Sequence, residues 1–245
     1  MSEQEQEQDQ TVTTPRRVAV FTAHPDDAEI ICGGTMARWA AEGHEVTLVL
    51  LTGGHNGSDD ADMTHERLAE IRQQEQLAAA AILGLKDTIF LGYPDSTLVH
   101  TLDLRRHLVR VVREIKPHVV ICHDPSRFWV SPSYINHPDH RAAGEATLAA
   151  VYPAARNRLT FRELADEGYE PWVVEEVYVS GAADADIAVD ITEYMDVKIA
   201  ALNAHTSQIS EWEVENFMKE WGRLAATQFP KSGEYAESYK YLKIG

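Results

Sequence analysis

The sequence predicts an α/β protein: a Rossmann-like, doubly wound, mostly parallel sheet flanked by helices, with a C-terminal β/α elaboration. Three observations lead there. Short apolar, β-branched runs alternate with longer segments of helical spacing. The runs are apolar throughout, as strands covered on both faces must be. The order β-α-β-α-β-α-β-α holds to about residue 155, which a parallel sheet accommodates with short right-handed crossovers. A chain of 245 residues, 44% hydrophobic and 25% charged, is long enough to bury such a core.

Taken in order, MSEQEQEQDQ at the start has no apolar side chain beyond Met1. Residues 1–15 therefore read as a disordered acidic arm. Residues 16–245 read as one domain, with a core over 16–155 and an elaboration over 156–245, because no glycine-rich linker or internal repeat divides them. Strands are expected over 18–23, 45–51, 88–91 and 118–122, and helices over 35–41, 66–83 and 104–115, the first opened by Cys32-Gly33-Gly34. Pro138 suits the first position of a further helix, with His137 as its N-cap and Asp139 in its first turn. Beyond Tyr152-Pro153, strands are expected within 172–180 and 186–189, and helices over 193–207 and 212–227. Trp212 and Trp221, on the last of these, are expected in the core.

Composition narrows the function. Lys and Arg number 22 against 39 Asp and Glu, a formal charge of −17. That argues against nucleic acid and anionic membrane surfaces as partners. No apolar run is long enough to span a bilayer. Arg16 and Arg17 precede only six apolar-rich residues before His24-Pro25-Asp26-Asp27, so no export signal is read. Two cysteines, Cys32 and Cys122, make no disulfide framework, and a reducing, cytoplasmic location is expected.

Ligands of open α/β sheets bind beyond the carboxyl ends of the strands. Polar residues gather at those ends here. His24-Pro25-Asp26-Asp27-Ala28-Glu29 follows the first strand, and Asn136-His137-Pro138-Asp139-His140 follows the fourth. Either element alone reads as a turn. Two such elements at neighbouring strand ends, facing one crevice, point to a divalent metal site with a position left for water. His24, Asp27 and His140 form the expected ligand set. Asp26 lies beside the open position, where a carboxylate can take a proton as water attacks. His137 at the mouth is an acid or an oxyanion donor.

Other features carry weaker signals. The loop Thr52-Gly53-Gly54-His55-Asn56-Gly57 lacks both the Walker ending and the dinucleotide spacing. Arg72 reads as an exposed ion pair with Glu75, and Tyr93-Pro94-Asp95-Ser96 as a turn. Phe128 and Trp129 either cover a substrate or pin their loop. His44, His65, His100, His107, His118 and His205 are taken as surface or hydrogen-bonded histidines. His55 and His123 lie nearer the crevice without a ligand role.

The two signatures, residues 23–29 with Gly33-Gly34 and residues 137–141, resemble those of the LmbE-like (PIG-L) de-N-acetylases. The stretches 68–75 and 79–84, the Asp95 turn and, more weakly, 198–205 are placed similarly. The resemblance implies a Rossmann-like fold and metal-dependent hydrolysis of an N-acetyl group on an amino sugar, with Zn2+ the expected ion and Fe2+ accepted by the same ligands. It implies His24, Asp27 and His140 as ligands, Asp26 as general base, His137 as charge stabiliser and Asp139 as the partner of His137. Arg72 and Asp95 correspond to substrate-contacting positions in some members, and Trp129 and Tyr134 join them as expected contacts. Where some members carry an oxyanion-holding tyrosine, this chain has Ile135, with Tyr134 one step further away. A soluble small-molecule substrate is expected, and a homo-oligomer is an option because members often assemble. The competing readings are a non-heme Fe(II) oxygenase, which expects an all-β scaffold, and a non-catalytic binder of a phosphorylated metabolite.

Overall fold

The computed structural model describes residues 14–209 and 213–245. Most of the expected N-terminal arm, and Trp212, therefore lie outside the described residues. The chain runs β1 (Arg17–Thr22), α1 (Asp27–Ala41), β2 (Glu45–Thr52), α2 (His65–Leu83), β3 (Asp87–Tyr93), α3 (Leu102–Ile115) and β4 (Val119–His123). A small hairpin, β5 (Trp129–Ser131) and β6 (Tyr134–Ile135), leads into α4 (Pro138–Ala149) and a π-helical turn over Ala150–Ala155. Then come α5 (Arg162–Asp166), β7 (Glu176–Ser180), β8 (Ile187–Asp190), α6 (Met195–Leu202), α7 (Thr206–Ile209), α8 (Val214–Gln228) and β9 (Ala236–Lys243).

Seven strands form one sheet in the order β3-β2-β1-β4-β7-β9-β8. Strands β1 to β4 and β7 pair in parallel, and β9 runs antiparallel to both its neighbours. The pleat explains why these runs are apolar throughout. Val18 and Val20 of β1 face Met36, Ala79 and Leu83 of α1 and α2, while Ala19 and Phe21 face Leu104, Leu108 and Ala146 of α3 and α4. Chain order reverses between β1 and β4, which pair directly through Val20 and Ile121. The crevice at that reversal is where the two His-Pro-Asp elements emerge.

The structure corrects several expected elements. Helix α1 begins at Asp27, inside the first motif, and breaks at Cys32, whose φ of −151° and ψ of 20° are not helical. The amides of Gly34 and Thr35 released by the break donate to Glu237 at 3.0 and 2.7 Å. Lys198 braces the same carboxylate at 2.5 Å and reaches the Ile30 carbonyl at 2.8 Å. Residues 27–31 thus form a separate turn that carries site residues. Strand β9 was not expected from the sequence, because Glu237 points inward to answer those amides and blurs the alternation of the strand. The expected helix 193–207 divides into a 3-10 turn over Thr192–Tyr194, then α6 and α7. Trp221 is 45% exposed and packs at a tilt against Phe217, ring centroids 4.4 Å apart, so it is not a core residue. Among the described residues no helix is long and apolar enough to cross a membrane. Both cysteines are buried and unpaired.

Candidate metal centre and active site

The first and second motifs meet at the carboxyl ends of β1 and β4. Asp27, in the first turn of α1, accepts from the His24 amide at 2.8 Å. Its carboxylate lies 3.4 Å from His24 Nδ1 and 3.0 Å from His140 Nε2. The rings of His24 and His140 are 5.3 Å apart, and His137 lies 4.7 Å from His24 and 5.3 Å from His140. His137 caps α4 as expected, its Nδ1 accepting from the Asp139 amide at 3.2 Å, with Pro138 next. That bond leaves the proton of the neutral ring on Nε2.

Among the described residues, three overlapping groups have ligand atoms within 4.8 Å of one another: His24–His137–His140, Asp27–His123–His140 and His24–Asp95–Asp139; the expected ligands His24, Asp27 and His140 are divided over the first two, and no one group holds all three. His123 was passed over in the sequence. It ends β4, is buried, lies 3.4 Å from Asp27 and stacks on His140 at 4.5 Å with the rings 4° from parallel. The strand-end rule that picked out His24 applied equally to it. Helix α4 can press this closely because residue 144 is glycine: a Cβ there would collide with the His123 carbonyl oxygen.

Asp139 is fully buried and reaches further than a partner to His137. It accepts from the amides of Ser96 and Leu98 at 2.7 and 3.2 Å and faces His24 Nε2 at 3.3 Å, whereas His137 Nδ1 is 4.0 Å away. Asp95, expected on the substrate, is also buried. It accepts from the Asn56 amide at 2.8 Å and lies 3.1 Å from His24.

Burial opposes protonation of His24, yet Asp139, Asp27 and Asp95 outweigh burial and push it up to about 12. Burial likewise disfavours the charged forms of Asp27 and Asp95. The surrounding imidazoles hold Asp27 well below the usual carboxylate range, and His24 with the Asn56 amide does the same for Asp95. His137 moves the other way, lowered by burial and by the neighbouring His24 and His140. Three carboxylates therefore crowd one imidazole in a buried pocket. A mixed imidazole and carboxylate donor set of this kind suits Zn2+ or Fe2+, so the residues fit a divalent ion.

Asp26 is held apart from the other carboxylates. It caps α1 in a left-handed conformation with φ of 85°, uncommon outside glycine. Burial, reinforced by the Asp27 charge and opposed by Arg72, pushes its carboxyl up to about 6. Arg72 is not an exposed partner of Glu75. It is 5% exposed and donates to Gly54 O at 2.8 Å, Pro25 O at 2.6 Å and Asp26 Oδ2 at 2.9 Å. Glu75 instead accepts from Ser207 and Thr206 at the start of α7. The glycine loop explains the burial of Arg72. Gly54 has φ of 63°, and a Cβ there would strike the guanidinium. The loop is wrapped around an arginine and is not an open phosphate cradle.

The β5–β6 hairpin stands at the mouth. Trp129 and Ile135 are 75% and 79% exposed, and Phe128 lies under the Arg141 guanidinium at 4.1 Å. The Tyr134 phenol is raised by partial burial and by the Asp27 charge, with His24 opposing. Tyr134, not Ile135, is thus in electrostatic reach of the centre.

Fold and donor cluster together define a class: a doubly wound α/β protein with a His/Asp centre suited to a divalent cation, with a carboxylate of raised pKa beside it. Residues 19–151 match the family described as PIG-L: GlcNAc-PI de-N-acetylase, and the chain belongs to that family of deacetylases. It is 32% identical over 229 residues to a diacetylchitobiose deacetylase of Thermococcus kodakarensis, covering 93% of this chain and 83% of the relative. It is 31% identical to a 1D-myo-inositol 2-acetamido-2-deoxy-alpha-D-glucopyranoside deacetylase of Actinosynnema mirum, covering 83% and 84%. The structure of N,N'-diacetylchitobiose deacetylase from Pyrococcus horikoshii, complexed with its inhibitor MPG, superposes with a TM-score of 0.84 at 28% identity, covering 93% of this chain and 84% of that one.

Proposed function

We propose that this protein is a metal-dependent N-deacetylase that removes acetyl from a GlcNAc-type sugar or sugar conjugate, with Zn2+ or Fe2+ held by His24, Asp27 and His140. The observation that carries the reading is the convergence of two imidazoles and a carboxylate from different strand ends, with Asp26 alongside and raised to about 6. The relatives named above are deacetylases of diacetylchitobiose and of a 2-acetamido-2-deoxy-glucopyranoside, which supports the substrate class. The α/β scaffold removes the structural expectation behind the oxygenase reading.

A divalent ion held by His24, Asp27 and His140 would supply Lewis acidity and lower the pKa of water toward ~7. Asp26 takes the proton of the attacking water, and Arg72 fixes the orientation of that carboxylate. Neutral His137 offers Nε2–H, and Tyr134 its phenol, to the oxygen that gains charge. Asp139 and Asp95 hold His24 in place. Water oxygen bonds to the carbonyl carbon, the C–N bond breaks, and the amine nitrogen receives the proton that Asp26 accepted. Acetic acid and a free amine result, and the acid releases its proton to solvent as acetate.

The test follows acetate release from a panel of N-acetylated amino sugars, with metal content measured on the same sample. Chelation should abolish release, and Zn2+ or Fe2+ should restore it. Undiminished turnover by protein shown to be metal-free overturns the proposal.

A further inference from the structure

A buried chain of polar side chains runs from Asp26 into the protein and ends on residues that the mechanism above does not use. The Asp26 amide donates to Gln76 Oε1 at 3.2 Å, and Gln76 Nε2 donates to Glu29 Oε1 at 2.7 Å. Glu29 Oε2 then faces His205 Nε2 at 3.5 Å. Gln76, Glu29 and His205 are each fully shielded from solvent. Among the described residues, neither ring nitrogen of His205 has a hydrogen-bond partner, nor does Glu29 Oε2, and these two groups face each other. His205 is thus not a surface histidine, and among the described residues its ring makes no hydrogen bond.

The chain has a fixed polarity. An amide N–H must meet an acceptor, so Gln76 presents its oxygen to Asp26 and its nitrogen to the Glu29 carboxylate. Flipping Gln76 would set donor against donor at one end and acceptor against acceptor at the other. Its rotamer is therefore determined by Glu29, and Glu29 is backed by His205. The end that matters is the amide of a residue with φ of 85°, a conformation that a non-glycine keeps only where its surroundings impose it. Gln76 is the side chain that receives that amide, while Arg72 holds the carboxylate from the same helix, α2, one turn earlier.

We infer that Gln76, oriented by the buried Glu29–His205 pair, is a positioning residue that holds the Asp26 backbone in the conformation from which its carboxylate accepts the proton. Gln76 acts through Asp26 and does not touch substrate. The inference rests on the reading of Asp26 as the base.

The test is a double-mutant cycle on the metal-loaded full chain, with Gln76→Met, Asp26→Asn and the pair, measuring kcat, KM and metal stoichiometry. Gln76→Met keeps the volume and removes both hydrogen bonds. It should lower kcat at least tenfold, with KM changed less than twofold and metal content unchanged. In the Asp26→Asn background it should have no further effect, which a general loss of structure would not reproduce. His205→Gln, which retains a donor toward Glu29, should keep more activity than His205→Leu. If Asp26→Asn abolishes turnover while Gln76→Met matches the parent, the positioning role is overturned and the base survives. Equal fractional losses from Gln76→Met in both backgrounds also overturn it, because the residue would then act independently of Asp26. If Asp26→Asn itself retains full turnover, the base assignment fails first.

Discussion

Arg72→Met separates two roles for a residue that sequence placed on the substrate and structure places on Asp26. The substitution keeps the apolar stem and removes a guanidinium that is 5% exposed and donates to Gly54 O, Pro25 O and Asp26 Oδ2. Removing one partner of a buried charged pair costs about 3–5 kcal/mol when the other stays charged. Asp26 can escape part of that by protonating, so about 3 kcal/mol is expected. At roughly 2–4 °C per kcal/mol for a chain of this size, the melting temperature falls by about 6–12 °C. The diagnostic effect is on pH. Burial already raises Asp26 to about 6, and Arg72 is the main influence pulling it down. Without that cation the carboxyl rises further, by about 1–3 pH units for an opposite charge in contact. A base works only when deprotonated, so the acid limb of the kcat/KM profile moves to higher pH by about one unit or more, with little change in KM. A tenfold rise in KM with an unmoved acid limb would refute this and restore Arg72 as a substrate contact.

Three further substitutions probe the surroundings of the same centre. Gly54→Ala should reproduce a milder Arg72→Met, because its Cβ strikes the guanidinium and its φ of 63° costs about 1 kcal/mol or more for alanine; thermal melting and the acid limb of the pH profile report it together, and an unmoved acid limb would argue that Arg72 stays on Asp26. Tyr134→Phe should lower kcat by roughly 100- to 1,000-fold if its phenol meets the developing oxyanion, while leaving metal content unchanged, and Ile135→Ala should leave kcat within about twofold; parental kcat in Tyr134→Phe removes that donor.

Much of the fold was legible because parallel strands buried on both faces announce themselves as unbroken apolar runs, as in residues 18–23 and 45–51. The rule that ligands collect at strand ends then located His24, Asp27, His137 and His140 without reference to tertiary contacts. What sequence did not reveal depends on partners distant in the chain. The reach of Asp139 to the amides of Ser96 and Leu98 crosses about forty positions, and nothing local signals it. Arg72 reads as a surface residue until the glycine loop closes over it. His123 stands one residue past an apolar run, and its role depends on α4 docking against it through Gly144. Glu237 looks like a solvent-facing residue and instead caps the break in α1 from 200 positions away.

The centre therefore rests on two supports. His24 follows β1, and Asp27 and His140 stand in the first turns of α1 and α4, which pack on a sheet whose inner strands are almost wholly buried. Asp26, adjacent to Asp27 in sequence, is held instead by side chains of α2: Gln76 on its amide and Arg72 on its carboxylate and on the preceding carbonyl. Neighbouring aspartates in one motif thus answer to different parts of the molecule. Substitutions in α2 should then cost turnover while sparing metal content, because the proposed ligands His24, Asp27 and His140 take no hydrogen bond from that helix. Substitutions at His123 or Gly144 should do the reverse and lose metal first, since they disturb the docking that brings His140 to Asp27.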